Sequence, residues 1–138
     1  MKTWVHFLFS LIPAVLLYHS FGWKVAFILA GGVLIDIDHY AWYVCKYRKY
    51  SLTDCYNHYM DADKTNFKDI IGILMIFHTI EFLLLMLVLS FFNQFVSMFT
   101  IGLLVHYLLD LIWHISIPKR IITSVSVISW IIKNKQKF

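Results

Sequence analysis

Charged residues are scarce in this chain. Only 14% of the 138 residues are Asp, Glu, Lys or Arg, whereas 60% are hydrophobic, and the mean hydropathy is +0.71. Soluble domains carry about 25% charged residues, so the composition excludes an ordinary soluble domain. Proline and glycine are also rare, with two and five copies, and the apolar segments do not alternate polar with apolar residues. These two absences favour membrane helices over a membrane β-barrel.

Cysteines and the common catalytic motifs are equally sparse. Cys45 and Cys55 are the two cysteines. They lack the CxxC spacing of a zinc pair, and we expect both to be reduced thiols. The sequence contains no P-loop, no dinucleotide-binding glycine motif and no serine nucleophile elbow. It also lacks a basic, aromatic-rich soluble module, so we expect no nucleic-acid partner.

Apolar runs dominate what remains. They predict transmembrane helices at residues 4–18, 23–44, 70–92 and 95–117, the first of them short. The first run is interpreted as a retained helix and not as a cleaved signal, because no small-x-small site follows it and His6 lies inside it. We therefore predict one all-α domain over residues 1–138, a polytopic membrane helical bundle with four transmembrane helices.

The basic residues predict the orientation of these helices. Every Lys and Arg except Lys24 lies before the first run, in the loop 46–69, or in the tail 119–138. The positive-inside rule places such segments in the cytoplasm. We therefore expect a bacterial-type inner-membrane protein with both termini and the central loop cytoplasmic.

The tail is expected to form a C-terminal amphipathic interfacial helix. Ile121, Val125, Ile128 and Ile132 recur at helical spacing, and basic residues accompany them. Such a helix lies along the membrane surface and contacts anionic lipid head groups. A helix that packs on the bundle without a function is the alternative.

Carboxylates and histidines inside the apolar runs are the most informative feature. A charged carboxylate at the bilayer centre costs about 2.5–3.5 kcal/mol, so several of them need a partner, and a metal ion satisfies both acids and imidazoles. On the expected topology these residues all lie in the cytoplasmic half of the membrane. The predicted metal ligands are His6, Asp36, Asp38, His39, His78, Glu81, His106 and Asp110.

Helical spacing strengthens the prediction of a metal site. Pairs three or four residues apart share a helix face and point at one ion, and the pairs here are Asp36/His39, His78/Glu81 and His106/Asp110. Asp36 and Asp38 cannot share a face. Either one binds metal while the other faces a second metal, a ligand or water, or the helix breaks there.

Weaker candidates and other readings remain open. His58 and His114 are weaker metal candidates, and His19 is expected to lie at the outer interface. Mixed oxygen and nitrogen ligands suit one to three divalent ions, most of all Zn²⁺, with Mn²⁺ or Fe²⁺ as alternatives. A structural polar network or a proton path is the competing interpretation of the whole cluster.

At these positions the chain resembles the membrane-bound metal-dependent hydrolases of the YdjM-like family. The resemblance rests on His6-Phe7-Leu8-Phe9-Ser10, Ile35-Asp36-Ile37-Asp38-His39 and the Gly102–Asp110 segment GLLVHYLLD. Ile35 stands where the family has proline, and Phe77-His78-Thr79-Ile80-Glu81 replaces a longer histidine motif, as in a divergent member. The family is also distantly similar to zinc-dependent phospholipase C and the S1/P1 nucleases, which implies phosphoesterase chemistry.

These observations predict an integral membrane metal-dependent hydrolase that acts on a lipid phosphoester at the cytoplasmic leaflet. Asp38 or Glu81 is the expected general base, and Arg48 and Lys49 are expected to attract the anionic head group. A di-iron oxidoreductase acting on a lipid chain is one alternative. A non-enzymatic membrane protein that binds or transports metal is another. The sequence does not indicate the oligomeric state.

Overall fold

Helices make up the fold of this chain. The computed structural model describes residues 2–61, 73–116 and 126–135, and that part contains no strand, so the all-α prediction is confirmed. Its α-helices are α1 (Thr3–Phe21), α2 (Ala26–Val33), α3 (Ile37–Tyr47), α4 (Leu52–Met60), α5 (Ile80–Ser90), α6 (Gln94–Ser116) and α7 (Val127–Asn134). Short 3₁₀ turns at Gly22–Val25, Leu34–Asp36 and Ile76–His78 join or precede them.

Two helical stretches are long and apolar enough to cross a membrane. They are the run Thr3–Tyr47 and the helix Gln94–Trp113, so the four predicted crossings are not confirmed. The third predicted span shows the clearest departure. Its helix within the described residues is α5, whose 11 residues reach about 16 Å, whereas the hydrocarbon core is about 30 Å thick.

The second predicted span is interrupted at the acidic motif. Its helical run changes from α2 to a 3₁₀ turn at Leu34–Asp36 and resumes as α3. This is the helix break that the two-residue spacing of Asp36 and Asp38 left open. Because the turn changes the helical phase, both carboxylates reach the same region of the bundle.

Small residues let α2 and α6 pack with their backbones in contact. A Cβ on Gly31 would overlap the carbonyl oxygen of Phe99, and a Cβ on Gly102 would overlap that of Ile28. Glycine permits this close approach because it has no side chain at the contact. Since His106 follows Gly102 by about one turn of α6, the contact holds this histidine against α2.

Many large apolar side chains are exposed, and several polar side chains are buried. Several of the most deeply buried side chains are polar, namely His6, Ser10, Thr79, Thr100 and His106. Large apolar side chains such as Leu16 and Ile115 are about three-quarters exposed, at 75% and 74%. Extended apolar surface of this kind marks contact with a membrane or a partner.

The loop and the tail each contain a short helix, and the one in the tail was expected. Helix α4 lies in the loop 46–69 and is capped at its N-terminus by Ser51, whose Oγ accepts the Asp54 N–H at 3.1 Å. Helix α7 lies in the tail, and Ile128 and Ile132 of the predicted apolar stripe are exposed on it. Ile121 and Val125 of the same stripe lie outside the described residues.

Candidate metal centre

All the predicted metal ligands except Glu81 lie together in the fold. His6 comes from α1, the Asp-x-Asp-His motif from the turn before α3 and from α3 itself, and His78 from the turn before α5. The last two, His106 and Asp110, lie on α6. Three overlapping groups have ligand atoms within 4.8 Å of one another, namely His6/Asp36/His106, Asp36/His39/His78 and His78/His106/Asp110.

Four candidate ligand atoms in this cluster lie close together. The Nε2 atoms of His78 and His106 are 3.1 Å apart. Asp36 Oδ1 lies 3.6 and 3.7 Å from them, and Asp110 Oδ2 lies 3.9 and 3.3 Å from them. Ligand atoms about 2.0–2.1 Å from a tetrahedral metal ion are about 3.3–3.4 Å apart, so these five separations are close to those that a shared ion requires.

The Nδ1 atoms of the two imidazoles determine which nitrogen of each ring faces the other candidate ligands. His106 Nδ1 lies 2.9 Å from the Gly32 carbonyl oxygen, and a carbonyl can only accept, so this nitrogen carries the proton. His78 Nδ1 lies 3.1 Å from Asp38 Oδ2, which is likewise an acceptor when ionised. In their neutral forms both rings would direct an Nε2 lone pair into the space between them. This is the arrangement in which a second hydrogen bond orients a metal-binding histidine.

Asp38 contacts the Nδ1 atoms of two histidines, His39 and His78. Its Oδ2 accepts the Phe77 N–H and faces His78 Nδ1, both at 3.1 Å, and its Oδ1 lies 2.8 Å from His39 Nδ1. These contacts orient two imidazoles. The predictions that Asp38 itself binds the ion or acts as general base stay predictions.

His6 is the least satisfied polar side chain of the cluster. It is buried, and its ring stacks on that of His106 with centroids 4.0 Å apart. Neither of its nitrogens makes a hydrogen bond within the described residues, although Nε2 lies 3.3 Å from Asp110 Oδ1. A buried imidazole that lacks well-aligned hydrogen bonds is costly, and a metal ion at this point would reduce that cost.

Tyr107 and Thr79 support the site and were not identified from the sequence. The Tyr107 hydroxyl lies 2.9 Å from the carbonyl oxygen of Phe77 and 2.8 Å from that of Thr79, the residues on either side of His78. Thr79 caps α5, and its Oγ1 accepts the Phe82 N–H at 3.4 Å. The threonine just before an apolar helix is a recognisable N-cap signal, whereas nothing in the sequence pairs Tyr107 with the turn at His78.

Glu81 lies elsewhere, against the tail helix. Its Oε1 accepts from the Ser126 hydroxyl at 2.6 Å and from the Ile128 N–H at 3.3 Å, and its Oε2 accepts the Val127 N–H at 3.1 Å. The i, i+3 argument that paired it with His78 does not apply, because Thr79 between them is extended, with φ −94° and ψ 150°. The structure does not bring this predicted ligand and general base to the cluster.

The remaining sequence candidates lie around α3 and α4. Arg48 and Lys49 are exposed after α3. The ring of His58 packs among those of Trp42, Tyr43, Tyr47 and Tyr59, away from the residues that could hold an ion. The side chain of His114 lies outside the described residues.

The cysteines lie in the same region and are both free. Cys45 is exposed, whereas Cys55 is buried in α4. Burial raises the pKa of the Cys55 thiol, so this residue is the less reactive of the two.

Comparison with known proteins adds nothing to this geometry. No protein-family model, no curated protein and no solved structure matches the chain.

Proposed function

We propose that this chain is an integral membrane metal-dependent hydrolase that cleaves a phosphoester of a membrane lipid at the cytoplasmic leaflet. The observation that carries the proposal is the convergence of two imidazole Nε2 atoms, 3.1 Å apart, and two carboxylate oxygens, each 3.3–3.9 Å from both nitrogens. The motifs around His6, Asp38 and His106 further suggest a divergent relative of the membrane-bound metal-dependent hydrolases.

The proposed setting is an inner membrane crossed by four segments, with both termini cytoplasmic. The apolar surface of α1, α5 and α6 favours this setting, and so do the two long apolar stretches. The turn at Gly22, where φ is +57°, reverses the first stretch so that α1 packs against α2, and in the proposed setting this stretch would supply two crossings. Helix α5 together with the residues before it would supply the third crossing.

The chain's own residues would hold and surround a divalent ion. His78, His106, Asp36 and Asp110 would bind it, with Zn²⁺ the best fit to mixed nitrogen and oxygen ligands and Mn²⁺ or Fe²⁺ as alternatives. The ion would polarise a phosphoryl oxygen and lower the pKa of a coordinated water. Arg48 and Lys49 would attract the anionic head group from the cytoplasmic side.

His39 is the residue we propose as general base. Its side chain is 26% exposed, whereas those of His78, His6 and His106 are 12%, 1% and 0% exposed. Its Nδ1 faces Asp38 at 2.8 Å, which leaves Nε2 free to accept a proton from water. A positioned base of this type contributes about 10²–10⁴ to a rate.

The alternatives fit the contacts less well. Carboxylate-bridged di-iron bundles draw glutamates from several helices, whereas Glu81 is the chain's single glutamate and is engaged by α7. A non-enzymatic metal carrier would use the same ligands but would not need His39 beside the ion.

The test is lipid hydrolysis by the full chain in proteoliposomes. Phosphatidylcholine vesicles would contain phosphatidic acid, phosphatidylglycerol or polyprenyl phosphate, and phosphate or head-group release would be measured with and without Zn²⁺ or Mn²⁺. We expect metal-dependent release from at least one lipid, with Asp36→Asn at least 100-fold slower. His19→Ala is the matched control, because His19 is exposed on α1 and should leave the rate unchanged.

The other outcomes separate the alternatives. His39→Gln should keep its metal and lose at least 100-fold in rate, and loss of metal in this variant would make His39 a ligand. Metal bound without turnover of any of these phosphoesters would overturn the hydrolase and favour a carrier. Two irons per chain with oxygen-dependent conversion of the lipid tail would favour the oxidoreductase.

A further inference from the structure

Helix α7 is too short to be stable without contacts to the rest of the molecule. It has eight residues, and helices shorter than about 12 residues are marginal in water. Its ends are capped locally, since the Ser126 Oγ accepts the Ser129 N–H at 3.2 Å and the Asn134 Nδ2 donates to the Trp130 carbonyl at 3.0 Å. Local caps alone do not fix the position of so short a helix on the rest of the molecule.

Glu81 supplies that fixed point. Its carboxylate receives the Ser126 hydroxyl and the N–H groups of Val127 and Ile128, 45–47 positions along the chain. A carboxylate at a helix N-terminus is stabilised by the unpaired amides there and by the helix dipole. These three donors satisfy Glu81 without a metal ion and tie α7 to the first turn of α5.

The tied helix presents a surface suited to one kind of partner. Ile128, Ile131 and Ile132 are exposed. Lys133 and Lys135 follow them, and residues 126–135 contain no acid. Exposed isoleucines next to lysines match an anionic bilayer surface, which accepts apolar side chains below its head groups and cations among them.

We infer that Glu81 and the N-terminus of α7 form a latch that holds a membrane-surface helix beside the metal centre. Glu81 lies three residues along the chain from His78, so the latch holds α7 near this candidate ligand. Binding of α7 to anionic lipid therefore sets the depth and orientation of the metal-binding cluster at the cytoplasmic interface. The inference rests on the proposed membrane setting and not on the hydrolase chemistry.

Hydrogen–deuterium exchange of the full chain in lipid nanodiscs tests the latch. In Glu81→Ala the peptide 126–135 should exchange at least tenfold faster, about the effect of losing a charge-assisted hydrogen bond. Glu81→Gln, which keeps one acceptor, should fall between this variant and the wild type. Leu85→Ala is the matched control, since Leu85 is exposed one turn further along α5 and should leave the peptide protected.

Metal content decides between the latch and the ligand role predicted for Glu81. Glu81→Ala should retain the metal content of the wild type. Loss of metal in this variant would make Glu81 a ligand and overturn the latch, and so would unchanged exchange of the peptide. If the wild type neither binds metal nor hydrolyses lipid while Glu81→Ala still frees α7, the proposed function fails and the latch stands.

Lipid composition tests the partner. Nanodiscs containing phosphatidylglycerol should protect the peptide more than nanodiscs of phosphatidylcholine alone, by about fivefold per lysine. The double variant Lys133→Gln, Lys135→Gln should lose this difference and keep the protection seen in phosphatidylcholine. Equal protection of the wild type in both lipids would overturn the anionic surface as the partner of α7.

Discussion

At the scale of single residues, hydrogen bonds behind the ligands decide how the site works. Gly32 O and Asp38 each face the Nδ1 of one histidine, and both imidazoles therefore turn Nε2 toward the same point. Residue types could be predicted from the sequence because acids and histidines are conspicuous in apolar runs. The roles could not, since they depend on partners that are about 40 and 74 positions away.

Glu81 shows why spacing alone can mislead. Two residues three apart share a face only if the helix between them is continuous, and the extended Thr79 breaks it. The threonine was visible as a possible helix cap. That Glu81 and His78 do not share a helix face could be inferred only once α5 was known to begin after Thr79.

Removing the Tyr107 hydroxyl tests the support behind His78. Tyr107→Phe keeps the ring and deletes the contacts with the carbonyls of Phe77 and Thr79. We expect metal affinity to fall about 10–100-fold, as for other residues that orient ligands, with little change in helicity. Metal competition against a chromophoric chelator measures this affinity.

Tyr18→Phe is the control, because Tyr18 is exposed on α1. Equal affinities for the two variants and the wild type would mean that Tyr107 does not position His78.

At the scale of elements, two features bring the ligands together. The glycine contact joins α2 to α6, and the 3₁₀ turn at Leu34–Asp36 redirects the chain into α3. The glycines were predictable as points of close approach. The length of α5 was not predictable, because a continuous apolar run does not distinguish a helical backbone from an extended one.

Gly102→Ala tests the contact between α2 and α6. The added methyl would overlap the Ile28 carbonyl oxygen, which is backbone and cannot move aside easily. We expect a loss of about 1–3 kcal/mol in stability, the usual cost of overpacking, and weaker metal binding through the displaced His106. Thermal unfolding in detergent and metal titration measure the two effects.

Leu104→Ala on the same helix is the control, since Leu104 is partly exposed. If Gly102→Ala matched this control in both measurements, the close contact would not be holding His106 in place.

At the scale of the whole molecule, much of the exposed surface is apolar, and charge predicts which side faces the cytoplasm. The apolar exterior follows from composition and was predictable. The number of crossings could not be predicted from composition, because residues 73–79 before α5 are mostly apolar but do not form an α-helix. The polar cluster lies where all the long elements converge, which explains how so small a chain assembles it.

Cys45 reports the orientation directly. It is exposed at the end of α3, whereas Cys55 is buried, so Cys45 should account for nearly all rapid labelling. In intact cells expressing the chain, an impermeant maleimide should label it only after the membrane is permeabilised. Cys45→Ser should abolish the rapid labelling, and labelling of Cys45 from outside would invert the proposed topology.

Metal analysis of the chain purified in detergent without chelator tests the central claim most directly. Wild-type protein should contain at least one transition-metal ion per chain, most of it zinc, and His106→Ala and Asp110→Ala should each lose most of it. His19→Ala should retain the full amount, because His19 is exposed outside the cluster. Wild-type protein without metal that also takes up none of the added Zn²⁺, Mn²⁺ or Fe²⁺ would contradict the account and leave a proton-sharing network in place of a metal centre.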